Sequence, residues 1–194
     1  IMAADARRWS NRGMAPQAEI PSTPEQVTAQ WLSEVLSGPG HPVVVDAEVT
    51  PIGTGQTGAT YRVAVRYAVP EPGLPDSFVV KLPAQDDAVR DRVALSYRSE
   101  HAFYTEVAET VAVPLPRCYH CAIADDGGQF VLLLADMAPA EQGDQIRGGT
   151  AAEARLAAAA LAGLHGPRWC DPAWLSFAGT VMPKPDEPTA RGLG

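Results

Sequence analysis

Hydrophobic and polar positions change period several times along the chain, and each change marks an element. Thr23, Pro24 and Gln26 read as an N-cap, a proline at the first helical position and a capping-box partner. They open a helix whose Val27, Trp31, Leu32, Val35 and Leu36 share one face, ended by Gly38-Pro39-Gly40. The period then falls to two. Val43-Val44-Val45 with Val49 and Ile52, and the β-branched run Ala59 to Tyr67, predict two strands joined by Gly53-Thr54-Gly55-Gln56-Thr57-Gly58. A Pro/Gly turn at 71–76 precedes a third strand, 77–82. From about Ala88 to Thr110 the pattern is helical, with Leu95, Phe103 and Val107 at turn intervals. Two further strands, 115–124 and 129–137, flank Asp125-Asp126-Gly127-Gly128, a hairpin turn whose glycines are expected at positive φ. A connecting loop runs from 138 to 149. Thr150 and Glu153 then cap an Ala-rich helix reaching about His165. The expected fold class is α+β: a five-stranded, mostly antiparallel sheet with one long helix between its third and fourth strands.

Composition narrows the function classes. Of 194 residues 46% are hydrophobic and 20% charged, enough apolar material for a buried core. A net charge of −8 argues against a nucleic-acid or anionic-membrane surface. Apolar runs such as 130–135 and 156–164 fall far short of the roughly 20 residues of a membrane span. Residues 1–21 lack the apolar segment of a signal peptide and are expected to form a poorly ordered or peripheral arm. Three cysteines make no disulfide framework, so a reducing cytoplasm is the expected compartment. Because residue 1 is Ile and the chain stops in Arg-Gly-Leu-Gly, one or both ends are expected to differ from the gene's boundaries.

The chemistry concentrates at three places. Gly53-x-Gly55-x-x-Gly58 is a pattern shared by the dinucleotide fingerprint and the kinase Gly-rich loop. A dinucleotide site needs a helix after the last glycine, whereas strand-like alternation follows Gly58, which predicts a hairpin tip whose backbone N–H groups can approach phosphates. A plain β-turn with no ligand gives the same six residues. Lys81, on the third strand, shares a face with Val79, while Phe78, Val80 and Leu82 take the other. A lysine on a sheet face is ordinarily just solvated; the helix that follows offers it Glu100, with Glu106 and Glu109 as competitors. Glu100 is preferred because it precedes Phe103-Tyr104 on the expected core face.

Five ordered segments then resemble the N-terminal half of the aminoglycoside-phosphotransferase and choline-kinase-like superfamily, with the ecdysteroid-kinase-like branch nearest. They are Ile52 to Arg62, Gly73 to Pro83, Ser99 to Tyr104, Leu132 to Met137, and Ala159 to His165, within residues 42–169. The resemblance implies a protein-kinase-like N-lobe over 22–137, a hinge and linker over 138–149, and the beginning of an incomplete C-lobe over 150–194. It implies an ATP site made by Gly53, Gly55, Thr57 and Gly58 over the phosphates, Lys81 paired with Glu100, and hinge backbone at Ala135 and Met137 for adenine. Ala135 stands where this branch usually has an acidic residue. The implied activity is ATP-dependent phosphate transfer to a hydroxyl of an unidentified small molecule. The partners expected are nucleotide and acceptor, with neither nucleic acid nor membrane, and with homodimerisation left open.

Other features weigh against completeness or against rival chemistry. The superfamily's H-G-D-x-x-x-x-N run and its later metal-binding Asp are absent: His165-Gly166 is followed by Pro167, and Asp171, Asp186 and Glu187 have no Asn at the required spacing. The chain itself is therefore expected to hold neither a catalytic base nor the Mg ligands of a complete member. The alternative is a kinase-like binding module without chemistry. Cys118-Tyr-His120-Cys121 has no second pair for a zinc site, and strict strand alternation puts its two cysteines on opposite faces. No G-x-S-x-G elbow exists for Ser-His-Asp hydrolysis.

Overall fold

A computed structural model describes residues 18–36, 42–52, 58–70, 72–141, 143, 144 and 146–177. The N-terminal capping box operates, but on a separate element. Gln26 Oε1 accepts the N–H groups of Ser22 and Thr23 at 2.6 and 3.1 Å and closes a three-residue 3-10 turn, Pro24–Gln26. The chain leaves helical angles at Val27, and a second cap, Thr28, accepts from the Trp31 N–H at 3.1 Å to open α1 (Ala29–Val35). Gly53, Gly55 and Thr57, and residues 1–17 of the expected arm, lie outside the described residues. The arm's described end is not peripheral: Pro21 is fully buried and Ile20 packs on the core. Its tie is the Trp31 indole N–H, donated to the Glu19 carbonyl at 2.8 Å.

Five strands form one sheet: β1 (Val44–Pro51), β2 (Gly58–Tyr67), β3 (Ser77–Pro83), β4 (Cys118–Ile123) and β5 (Phe130–Ala135), in the order β1-β2-β3-β5-β4. Every pairing is antiparallel. Alternation sorts side chains onto two faces. Phe78, Val80, Leu82, Val63, Val131 and Leu133 pack with Trp31 and Leu32 of α1. Phe130 and Leu132 point the other way, onto Tyr97 of α2 (Asp87–Ala102). β5 is thus buried on both faces, which is why its sequence, Phe-Val-Leu-Leu-Leu-Ala, shows no alternation at all.

α2 starts at Asp86, whose carboxylate accepts from the Val89 N–H at 3.0 Å. Its buried positions are Tyr97 and Ala102, with Val107 just beyond the helix; Leu95, expected among the apolar positions, is exposed. Tyr97 stacks on Phe130 with centroids 5.1 Å apart, and its hydroxyl accepts the Ala84 N–H at 2.9 Å. The helix widens into a π turn at Phe103–Val107 and tightens into a 3-10 turn at Ala108–Thr110, so the expected single helix to Thr110 has three geometries.

Two corrections concern the β4–β5 hairpin. Of its glycines only Gly127 has positive φ (+78°); there a Cβ would also crowd Arg98, whose guanidinium donates to the Asp125 carbonyl at 2.8 Å. In β4 the register jumps between Cys118, opposite Leu134, and His120, opposite Leu133. That bulge adds one residue and resets the parity. Tyr119 and His120 both face the α1 side, on Phe78 and Trp31, while Cys118 and Cys121 share the α2 side rather than lying on opposite faces.

The last helix, α3 (Ala151–His165), has the expected box: the Thr150 N–H reaches Glu153 Oε2 at 2.6 Å, and the Glu153 N–H reaches Thr150 Oγ1 at 3.2 Å. It meets the segment after α2 at Gly163, whose carbonyl accepts the Ala112 N–H at 2.9 Å. Leu156 and Leu161 are exposed. No helix among the described residues is long and apolar enough to cross a membrane.

Candidate functional site: a lysine–glutamate pair on the central strand

Lys81 lies on the α2 side of β3, opposite Thr60 of β2 and Leu132 of β5. Its Nζ is 2.6 Å from Glu100 Oε2, with the two side chains 25% and 28% exposed. Glu106 and Glu109, the competing carboxylates, are both exposed. Glu100 is selected because α2 crosses the sheet with Tyr97 inward; Glu100, three residues on, is carried along the same face to the lysine. A pair this accessible adds little to stability, on the order of 0–1 kcal/mol. What it does is fix a flexible ammonium in one place. Tyr104 is the phenol beside it: burial, and then the negative charge of Glu100, push its pKa up to about 12, so it stays protonated.

The other expected residues that the structure describes are Gly58, Ala135 and Met137. Gly58 opens β2 opposite Pro83, two residues from the Thr60–Lys81 pairing, or about 7 Å at strand rise. The strand that begins at Gly58 and pairs antiparallel with β1 excludes the strand-loop-helix arrangement of a dinucleotide fingerprint. On the other side, β5 runs three residues from Leu132, opposite Lys81, to Ala135, opposite Phe78, roughly 10 Å. Ala135's N–H is committed to the Arg117 carbonyl at 2.8 Å, leaving its carbonyl as the group it can offer. Met137 is exposed; its carbonyl accepts the Ala140 N–H at 2.9 Å, and its own N–H has no partner among the described residues. Gly58 (opposite Pro83), Lys81 itself and Ala135 (opposite Phe78) therefore follow one another along β3, the central strand.

Sequence reasoning missed the residue between the two hinge positions. Asp136 accepts from Arg62 Nε at 2.7 Å, Arg62 Nη2 at 3.3 Å, Ser77 Oγ at 2.7 Å and the Ala138 N–H at 3.0 Å. These donors, the Arg62 guanidinium first, hold its carboxyl down at about pH 2 against the effect of burial. The network ties the hinge to β2 and β3. The signal was an acid directly after the apolar run of β5, but its partners depend on the β3–β5 register, which spacing alone does not show. Among the described residues no group of three or more His, Cys, Asp or Glu is arranged to hold a metal.

A five-stranded antiparallel sheet with a third-strand lysine held by a glutamate of the following helix, and a hinge after the fifth strand, is the N-lobe of a kinase-like fold. The family model of the phosphotransferase enzymes, APH, matches residues 48–190, from β1 through the hinge and α3, and the chain belongs to that family. No curated protein sequence matches the chain.

Proposed function

We propose that this chain supplies the nucleotide-binding lobe of an ATP-dependent phosphotransferase acting on a hydroxyl group of a small molecule. The observation that carries the reading is the 2.6 Å Lys81–Glu100 pair. Lys81 presents a fixed ammonium to phosphate oxygens; Glu100 keeps it from swinging into solvent. Backbone N–H groups of 53–58 are suited to phosphates, because glycines leave no side chain in the way. The Ala135 carbonyl and the Met137 N–H offer one acceptor and one donor, the pair that an adenine edge needs. ATP, when bound with Mg, supplies the transferable phosphoryl group. The ecdysteroid-kinase-like branch is the finer family assignment, supported by the order of the five segments, and a cytoplasmic setting goes with it.

A second reading, a kinase-like module that binds nucleotide or a partner without turnover, is favoured by the absence of an H-G-D-x-x-x-x-N run from the 194 residues, where His165-Gly166 is followed by Pro167. An ADP-release screen over hydroxyl-bearing acceptors separates the two. The 194-residue chain is expected to release no ADP above background, and the product of its whole gene, where it carries an H-G-D-x-x-x-x-N run, is expected to release it with at least one acceptor. Turnover by the 194-residue chain would mean that a base and metal ligands lie among its own residues. Nucleotide binding without turnover in either form would establish the binding module.

A further inference from the structure

The bulge in β4 gives two of the chain's three cysteines a relation they lack in a regular strand. Cys118 stands opposite Leu134 and Cys121 opposite Leu132. Three strand residues normally span about 10 Å; matched to two residues of β5, which span roughly 6.6 Å, Cys118 and Cys121 are drawn closer than in a regular strand and onto one face. That brings them towards the Cα separation of roughly 4.4–6.8 Å that a disulfide bridges. Both thiols are free and half-buried, both lie against the Tyr97–Phe130–Leu132 cluster, and β4 is an edge strand, which leaves a reagent a way in. The neighbouring Cys121 holds the Cys118 thiol below its ordinary range, helped by the bond that Cys118 Sγ donates to the His120 carbonyl at 3.5 Å, while Cys118 and burial push Cys121 up. Cys118 is therefore the readier nucleophile.

We propose that Cys118 and Cys121 form an oxidisable dithiol that closes to an intramolecular disulfide on exposure to a peroxide and, in closing, disturbs the Lys81–Glu100 pair. The Cys118 sulfur attacks one peroxide oxygen, the O–O bond breaks, and a sulfenic acid and one water result. The Cys121 sulfur then displaces the hydroxyl from Cys118; the S–S bond forms, the S–O bond breaks, and a second water leaves with the remaining proton. Two thiols lose two electrons and one peroxide becomes two waters. The route to the lysine is short. Tyr104, in the π turn one helical turn beyond Glu100, packs on the same cluster as both sulfurs and senses the charge of Glu100. Closing the bridge draws the sulfurs to about 2 Å apart. That withdraws them from Tyr104, and the end of α2 must follow or leave a gap.

The disulfide itself is independent of the function proposed above; its effect on nucleotide rests on that function. The test treats the 194-residue chain with hydrogen peroxide, counts free thiols under denaturing conditions and maps the peptides by mass. The expected result is a fall from three free thiols to one, a loss of two hydrogens, and a link between Cys118 and Cys121, with Cys170 still free. Cys170→Ser should still lose both thiols, while Cys118→Ser and Cys121→Ser should each form no intrachain bridge. Cys118 and Cys121 remaining free, becoming sulfinic acids, or pairing with Cys170 would overturn the proposal. Oxidised protein is further expected to bind ATP about fivefold more weakly, restored by dithiothreitol and absent in Cys121→Ser. Equal affinity in a bridged protein would overturn the coupling. No ATP binding by the reduced protein would count against the nucleotide site instead, and the thiol count would still decide the bridge.

Discussion

Replacing Asp136 by Asn keeps the shape of the hinge side chain, removes its charge and turns one of its two acceptor oxygens into a donor. The carboxylate is 9% exposed and holds Arg62, Ser77 Oγ and the Ala138 N–H. Its pKa falls from the ordinary 3.8 to about 2, and each pH unit of that lowering corresponds to about 1.4 kcal/mol, or about 2–3 kcal/mol in all. Arg62 is 44% exposed, so water screens part of its share, and about 1–2 kcal/mol is the expected loss at neutral pH. The sign follows from linkage. With a lower pKa in the folded state, the unfolded chain takes up the proton first as pH falls. The contribution is therefore complete above pH 5 and disappears as pH falls through 3.8 towards 2. Urea unfolding of the wild type and Asp136→Asn, followed by tryptophan fluorescence at pH 7, 5 and 3, measures it. The difference should be equal at pH 7 and 5 and about half as large at pH 3. A difference that does not change with pH, or one below about 0.3 kcal/mol at pH 7, would refute the electrostatic reasoning.

Gly163→Ala should detach α3 from the segment after α2, because the added Cβ would meet the Ala112 carbonyl oxygen at 2.6 Å; a loss of about 1–3 kcal/mol and faster amide exchange at Ala112 are the expected readouts. Tyr97→Phe should keep the stack on Phe130 but strand the buried Ala84 N–H, costing about 1–3 kcal/mol in urea unfolding, whereas a change near zero would show that water reaches that amide.

Periodicity made most of the sheet legible because β1, β2 and β3 each have unlike neighbours on their two faces. Lys81 and Glu100 could be paired from sequence because each sits on a regular element, where spacing fixes direction. What escaped was irregular or relational. A helix start at Thr28 instead of Thr23 turns on one residue, Val27, leaving helical angles. The parity of Cys118 and Cys121 turns on one extra residue in β4, which leaves no mark in a strand of mixed character. Asp136 reads as a loop acid until the register places Ser77 and Arg62 beside it. The 53–58 loop was legible only as a motif: the strand that begins at Gly58 rules out the dinucleotide arrangement, while Gly53, Gly55 and Thr57 lie outside the described residues.

Calorimetric titration of the 194-residue chain with ATP, beside Lys81→Ala, tests the central claim most directly. Affinity should be weak, since among the described residues no group of acids is arranged to hold the metal that neutralises the phosphates. Removing Lys81 takes away a charge-assisted contact of about 1.5–3 kcal/mol, so Lys81→Ala should bind roughly ten- to a hundredfold more weakly at unchanged urea midpoint. Equal binding by the two proteins, or no binding by the wild type at any accessible concentration, would contradict a nucleotide site built on the Lys81–Glu100 pair.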